Sequence, residues 1–250
     1  MKSLALLSAL LFVAGLARAS VTETFTHTYP LNADGVVRLE NVNGDIEITG
    51  WDKAEVSLVA EKRARDEDDL KRIDLVIESD PARLSIKTKY AKNRAWHLFG
   101  NWSNASVRYT LMVPVGAHLD KIDSVNSDIA VSGVHGPAHL ETVNGRIKAE
   151  DLMADTRLES VNGGLHAAFA SLENVHEIRL ESVNGRADVT LPPGAAATIK
   201  TNSVNGGTSV DQPIKLANSG RHHLSGEIGS GGGPTITIET VNGGISVHEK

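Results

Sequence analysis

The 250-residue chain contains no cysteine. A disulfide scaffold is therefore excluded, as is a lipoprotein anchored through an acylated cysteine. Burial and backbone pairing alone must hold the fold. Aromatic residues make up only 4%, so small aliphatic side chains rather than large rings must fill the core. Long apolar runs are missing apart from residues 4–16, a stretch shorter than the roughly 18–20 residues that cross a bilayer. With Lys2 before it and Ala17-Arg18-Ala19 after it, that run has the form of a secretory signal cleaved after Ala19, leaving Ser20 first. The mature chain is expected to be exported, to the periplasm or the cell surface, with no transmembrane segment. Basic charge is also scarce. Losing Lys2 and Arg18 with the signal takes 25 basic residues to 23 against 31 acidic, a net charge of −8. That balance disfavours nucleic acid and anionic membrane surfaces as partners.

What the chain does have is short Val, Ile and Leu runs punctuated by Gly and Asn, which indicates an all-β protein. The tripeptide Val-Asn-Gly, once Val-Asn-Ser, occurs seven times, with its asparagines at Asn43, Asn126, Asn144, Asn162, Asn184, Asn205 and Asn242. Successive spacings are 83, 18, 18, 22, 21 and 37. A unit of about twenty residues is characteristic of stacked coils. The interval of 37 is close to two units, so one rung between Asn205 and Asn242 is expected to have lost the motif.

The similarity between units extends on both sides of the motif. Four positions before the asparagine stand Leu39, Ile122, Leu140, Leu158, Leu180 and Ile238, with Thr201 the polar exception. Three positions after it stand Ile46, Ile129, Ile147, Leu165, Ala187, Thr208 and Ile245. These are expected to face inward, together with the motif valine. Because the leucine and the later residues differ in parity, a corner must lie between them, and Asn-Gly supplies one by tolerating positive φ. A meander of hairpins could use the same dipeptide, but it has no reason to repeat side chains at fixed offsets. The fold class that results is all-β: a repeat-built β-solenoid over residues 116–250, preceded by an antiparallel β region over residues 20–115. In such a stack the asparagines form a column at strand spacing, their amides bonded up and down it. A row of asparagines binding sugar hydroxyls is the competing functional reading.

Within the N-terminal region, Ser79-Asp80-Pro81-Ala82 is turn chemistry between two strand-like runs and predicts an antiparallel hairpin. The charged residues 61–72 suggest a loop or one or two helical turns. Tyr90, Trp96, Phe99, Trp102 and Tyr109 crowd into residues 90–109 of a chain otherwise poor in rings. Two readings follow: a plug folded over the solenoid end, or an exposed patch that contacts a partner.

The repeats resemble the bacterial "putative adhesin" family, an unknown-function β-solenoid domain of envelope proteins. The residues that carry the resemblance are Asn41-Val42-Asn43-Gly44-Asp45-Ile46 with Gly50-Trp51-Asp52, then Val113-Pro114, Leu191-Pro192 and the closing Thr240-Val241-Asn242-Gly243-Gly244-Ile245. The resemblance implies an exported solenoid, linked in some members to envelope stress or adhesion, without an established enzyme activity. This chain departs from the pattern in having Arg146, Gly164, Arg186, Gly207 and Gly244 where Asp follows the glycine.

Catalysis on a β-helix would need two carboxylates about 5–10 Å apart, or acids gathered around calcium. Glu40, Asp123, Glu141, Glu159, Glu181 and Glu239 each stand three before the motif asparagine. Their regular recurrence marks a scaffold column, since an active site needs unrepeated residues converging on one place. Carboxylates stacked at strand spacing repel unless screened or bridged, which leaves a calcium ladder as an alternative. His135 and His139 are separated by Gly136-Pro137, which excludes the helix that would set both on one metal. No cofactor, metal or catalytic residue is assigned. The function read from sequence is a non-catalytic envelope module, structural or adhesin-like, binding an unidentified protein or glycan. The alternative is a carbohydrate-active β-helix enzyme.

Overall fold

Strands form here because β-branched and aliphatic residues alternate with polar ones, a pattern that fits a pleated surface buried on one side. The computed structural model describes residues 20–91 and 105–250. Along the chain the first elements are β1 (Val21–Pro30), β2 (Val36–Glu40), β3 (Ile46–Trp51), β4 (Glu55–Ala64), α1 (Glu67–Leu70), β5 (Ile73–Asp80), β6 (Arg83–Tyr90) and β7 (Ser106–Pro114). The repeats supply β8 (His118–Asn126), β9 (Ile129–Ser132), β10 (Ala138–Asn144), β11 (Ile147–Leu152), β12 (Thr156–Asn162), β13 (Leu165–Phe169), β14 (Glu177–Asn184) and β15 (Ala187–Leu191). The last are β16 (Ala197–Ser203), β17 (Thr208–Val210), β18 (Ile214–Ser219), β19 (His223–Ile228), β20 (Thr235–Asn242) and β21 (Ile245–Glu249).

These strands build two sheets. The first runs β1-β4-β7-β3-β9-β11-β13-β15-β21-β17, and the second β18-β19-β16-β20-β14-β12-β10-β8-β2-β6-β5. Each coil gives one strand to each sheet and turns between them at the motif. Parallel pairing keeps equivalent residues in register, so Leu140, Leu158, Leu180 and Ile238 stack in one row. Ile129, Ile147, Leu165, Ala187 and Ile245 form the facing row. All of these side chains are buried between the sheets, each worth about 1.5–3 kcal/mol of transfer free energy for a full-sized aliphatic.

The N-terminal region is antiparallel where it caps the stack. β1 pairs with β4 and β4 with β7, while β5 and β6 form the hairpin predicted at Asp80. The Asp80 carboxylate accepts from the backbone N–H groups of Ala82 and Arg83 at 2.7 and 2.9 Å. Residues 61–72 divide between the end of β4 and the single turn α1, whose N-cap Asp66 accepts from the Asp69 N–H. β2 and β3 belong to the parallel stack itself, and Asn43 bridges directly to Asn126. Both sheets therefore run unbroken through residue 115.

Two expectations are corrected in the C-terminal part. No rung is missing between Asn205 and Asn242; that interval holds the antiparallel hairpin β18–β19. The coil of Asn242 then returns and inserts between those of Asn184 and Asn205, because β20 pairs with both β14 and β16. The second correction concerns the motif glycine. Only Gly44 among the motif glycines has positive φ. Elsewhere the glycine answers close approach: a Cβ on Gly145, Gly163, Gly185, Gly243 or Gly206 would lie 1.7–2.0 Å from a carbonyl oxygen of the neighbouring coil.

Candidate binding surface

The motif asparagines lie on the outside of the corner, where their amides form a one-way chain. Asn205 Nδ2 donates to Asn242 Oδ1, and the same bond repeats from Asn242 to Asn184, Asn162, Asn144, Asn126 and Asn43, at 2.8–2.9 Å. Asn43 closes it by donating to the Ala105 carbonyl. Every Nδ2 points toward the N-terminal cap, so the amide dipoles add along the stack. The column is largely exposed rather than buried. Its bonds satisfy the amides without desolvating them.

The residue two before each asparagine is the buried polar one. This column is Asn41, Ser124, Thr142, Ser160, Ser182, Ser203 and Thr240, and all seven are buried. Ser160, Ser182 and Ser203 donate to the motif-glycine carbonyl of the adjoining coil at 2.9–3.1 Å. Asn41 does the work of three, donating to the Asn43, Gly44 and Val107 carbonyls. A signal for this column was available in the sequence, since the offset holds only Asn, Ser or Thr in every repeat.

Because that inward position is taken, the motif valine must face out, contrary to the expectation that it packs inside. Val125, Val143, Val161, Val183 and Val241 are 36–41% exposed, and Val204 is 52% exposed. They form an apolar stripe on the outer face of the second sheet. Beside it runs the acidic column Glu40, Asp123, Glu141, Glu159, Glu181 and Glu239, whose members pair in register. Beside that lies a largely cationic column of Arg38, Lys121, His139, Arg157 and Arg179.

The cationic column bridges the acids. Lys121 reaches Asp123 at 2.9 Å, His139 reaches Glu159 at 3.3 Å, and Arg157 reaches both Glu159 and, at 3.5 Å, Glu181. Arg179 and Lys87 pair with Glu181 and Glu40. Burial pushes the Glu159 carboxyl up, but the Arg157 hydrogen bond and charge, with His139, hold it below its ordinary value. A general acid needs the opposite shift. Protein side chains thus bridge the stacked acids at Glu40, Asp123, Glu159 and Glu181.

Regularity breaks in β8 on this face. β8 carries a bulge at Asp120–Lys121, and Asp120 accepts from Arg38 Nε at 2.6 Å. Bulges re-aim side chains and often adjoin functional surfaces. Here the bulge borders an open groove of about 280 Å³ lined by His118, Asp120, His139, Asp155, Arg157 and Arg179, among others. Asp155 in turn accepts from the His176 and Glu177 N–H groups at 2.6 and 3.1 Å. The carboxylates of Asp120 and Asp155 are therefore held by protein donors.

The aromatic residues separate. Tyr109 is 0% exposed, because it takes an inward position of β7, and its hydroxyl lies 2.7 Å from Thr88 Oγ1. As a surface contact it is ruled out. Burial pushes its pKa up to about 12, against the Thr88 hydrogen bond. Tyr90 is half-buried against the core, and burial likewise raises its hydroxyl pKa. Trp96, Phe99 and Trp102, like residues 1–19, lie outside the described residues. Among the described residues no helix is long and apolar enough to cross a membrane, and no group of three or more His, Asp or Glu is placed to hold a metal ion.

A family model described as Toastrack DUF4097 matches residues 30–248. No curated protein matches the chain. Among solved structures, a "putative cell adhesion protein" from Clostridium sporogenes shares 14% identity, with 93% of this chain and 100% of that one covered at a TM-score of 0.52. A "putative adhesin" from Bacteroides fragilis shares 13% identity over 90% and 97% of the two chains, with a TM-score of 0.43. At 14% identity the likeness to the first is one of fold.

Proposed function

The chain belongs to the Toastrack DUF4097 family, and from that premise we propose that it is an exported, non-catalytic envelope module that binds a protein or glycan component through the outer face of its second sheet. One observation carries the reading. Six coils align an exposed valine stripe beside bridged acidic and cationic columns, with an amide ladder at the corner. Such a face offers apolar contact flanked by polar rims, the composition of an interface. Groove acids held by backbone N–H groups and guanidinium groups are suited to shaping a surface rather than to moving protons.

Export is part of the same proposal, with cleavage after Ala19 and delivery to the periplasm or the cell surface. The test is capture from a native envelope fraction, using the processed chain beside a Val161→Lys/Val183→Lys variant. Retention of one component by the wild type, and its loss in the variant at unchanged unfolding midpoint, is the expected result. Equal retention by both would sink the valine face as the contact. Amino-terminal sequencing of the exported product should begin at Ser20, and an intact Met1 would refute cleavage.

A further inference from the structure

The two sheets do not end together. Beyond the coil of Asn205, which contributes β16 and β17, the second sheet continues by two strands, β19 and β18, while the first sheet stops at β17. The result is a step one hairpin deep. Its floor is the core-facing side of that hairpin. Ile228 sits there beside Ala197 and is buried, with Ile214 across from it. Leu216, opposite Gly226 on the same side, is 53% exposed because no strand of the first sheet lies over it. The riser of the step is the edge of β17. The Ile245 backbone N–H donates to the Gly207 carbonyl, and the Asp211 backbone N–H donates to the Val247 carbonyl. By the alternation of a parallel ladder, Thr208 and Val210 turn their N–H and C=O groups toward the open side.

An unpaired strand edge beside an exposed apolar floor is a pairing template. The overhang of two strands equals the deficit of two strands. We propose that two copies of the chain close this step on each other about a two-fold axis, each copy's β18–β19 hairpin filling the gap in the other's first sheet. A rotation that sets the first sheet of one copy in line with the second sheet of the other makes both sheets continuous, and the contact is isologous and closed. β18 of each copy then lies antiparallel beside β17 of the other. The two hairpins face each other at sheet-packing distance, and Leu216 meets the β19 of the other copy over Gly226, which carries no side chain.

Charge agrees with this arrangement. Antiparallel pairing brings Lys215, near the start of β18, to Asp211, just past the end of β17, and both lie on the outward parity of their strands. Like charges at those two positions would oppose closure.

Sedimentation equilibrium over a concentration series tests the proposal. The wild-type chain should approach twice its monomer mass. Val210→Pro removes an outward N–H and Leu216→Lys places a charge on the floor. Each should raise the dissociation constant at least 100-fold, while far-ultraviolet circular dichroism at low concentration stays unchanged. Lys215→Glu and Asp211→Lys should each weaken the dimer, and their combination should restore it at least in part. A wild-type chain that stays monomeric over the whole series overturns the proposal, even where the step captures an extended strand from another protein. A dimer equally tight in Val210→Pro and Leu216→Lys overturns it as well.

Discussion

Replacing Gly163 by alanine tests whether the stack depends on contact between coils at the corner. The added Cβ would lie 1.7 Å from the Gly145 carbonyl oxygen, where a carbon and an oxygen need about 3.3 Å. The atom met is backbone, so no side chain can swing away. The two coils must part locally, or the corner must twist out of line. Three bonds join the coils there: Asn162 Nδ2 to Asn144 Oδ1 at 2.8 Å, Ser160 Oγ to the Gly145 carbonyl at 3.1 Å, and the Gly145 N–H to the Asn162 carbonyl at 3.1 Å. At about 1 kcal/mol net for each bond, with packing lost around them, the substitution should cost about 3–5 kcal/mol. That is a large share of the ~5–15 kcal/mol expected for a domain. Gly164→Ala is the matched control, because its Cβ would meet nothing nearer than 3.5 Å, and it should be neutral or gain up to about 1 kcal/mol. Urea unfolding followed by far-ultraviolet circular dichroism measures both. A Gly163→Ala midpoint within 1 kcal/mol of wild type would refute the argument.

The amide ladder should contribute less than its regularity suggests. Asn162→Ala breaks two 2.8 Å bonds, but the freed partners return to water, so the cost should be about 1 kcal/mol, whereas Asn41→Ala removes a buried amide that donates to three carbonyls; the Asn43 and Gly44 carbonyls keep the Val107 N–H and Ser127 Oγ, so the cost should be about 2 kcal/mol in the same urea titration. Glu159 titrates below its ordinary value in the fold, chiefly because the Arg157 pairing outweighs burial, so its stabilisation is present above pH 4.5 and disappears as pH falls through the lower folded value. Arg157→Gln should therefore destabilise near neutrality by under ~1 kcal/mol, both groups being partly solvated, and the difference from wild type should vanish in acid. Tyr109, raised by burial from 10.0 to about 12, stabilises the fold below its unfolded value and loses that contribution as pH rises from 10 toward 12. Alkaline titration of phenolate absorbance beside unfolding midpoints should show the loss, with a flatter profile for Tyr109→Phe.

Architecture was legible in the sequence because stacking repeats the same environment. A leucine or isoleucine four before the asparagine in six of the seven repeats, and a mostly aliphatic residue three after it, can recur only if each meets its own counterpart above and below. The Asp80 turn was legible for a local reason, since one carboxylate caps two N–H groups. The valine was misplaced because parity alone cannot say on which side of the corner the chain bends. The serine or threonine before it takes the inward place, and hydrogen bonding rather than hydrophobicity decides that. The Asn-Gly pattern suggests freedom of φ at Gly163 and its equivalents, whereas their task is to let two backbones touch, a contact between residues about twenty apart that no local pattern displays. The groove beside Asp120 was illegible for the same reason. It arises from one extra residue in β8, which shifts a neighbour eighteen positions further on.

The order of coils in space differs from their order of synthesis. β20 and β21 follow every other described strand in sequence, yet they lie inside the stack with a strand on either side. A solenoid that merely added rungs could grow from one end as the chain emerged. Here the coil of Asn205 has no seat on the coil of Asn184 until β20 and β21 arrive to sit between them. β20 and β21 are thus a keystone of the stack. A chain shortened by proteolysis or by a premature stop would keep its N-terminal coils in register yet lose the wedge that joins β16, β17 and the terminal hairpin to the remainder. Synthesis through β21 is itself the signal that lets the stack close.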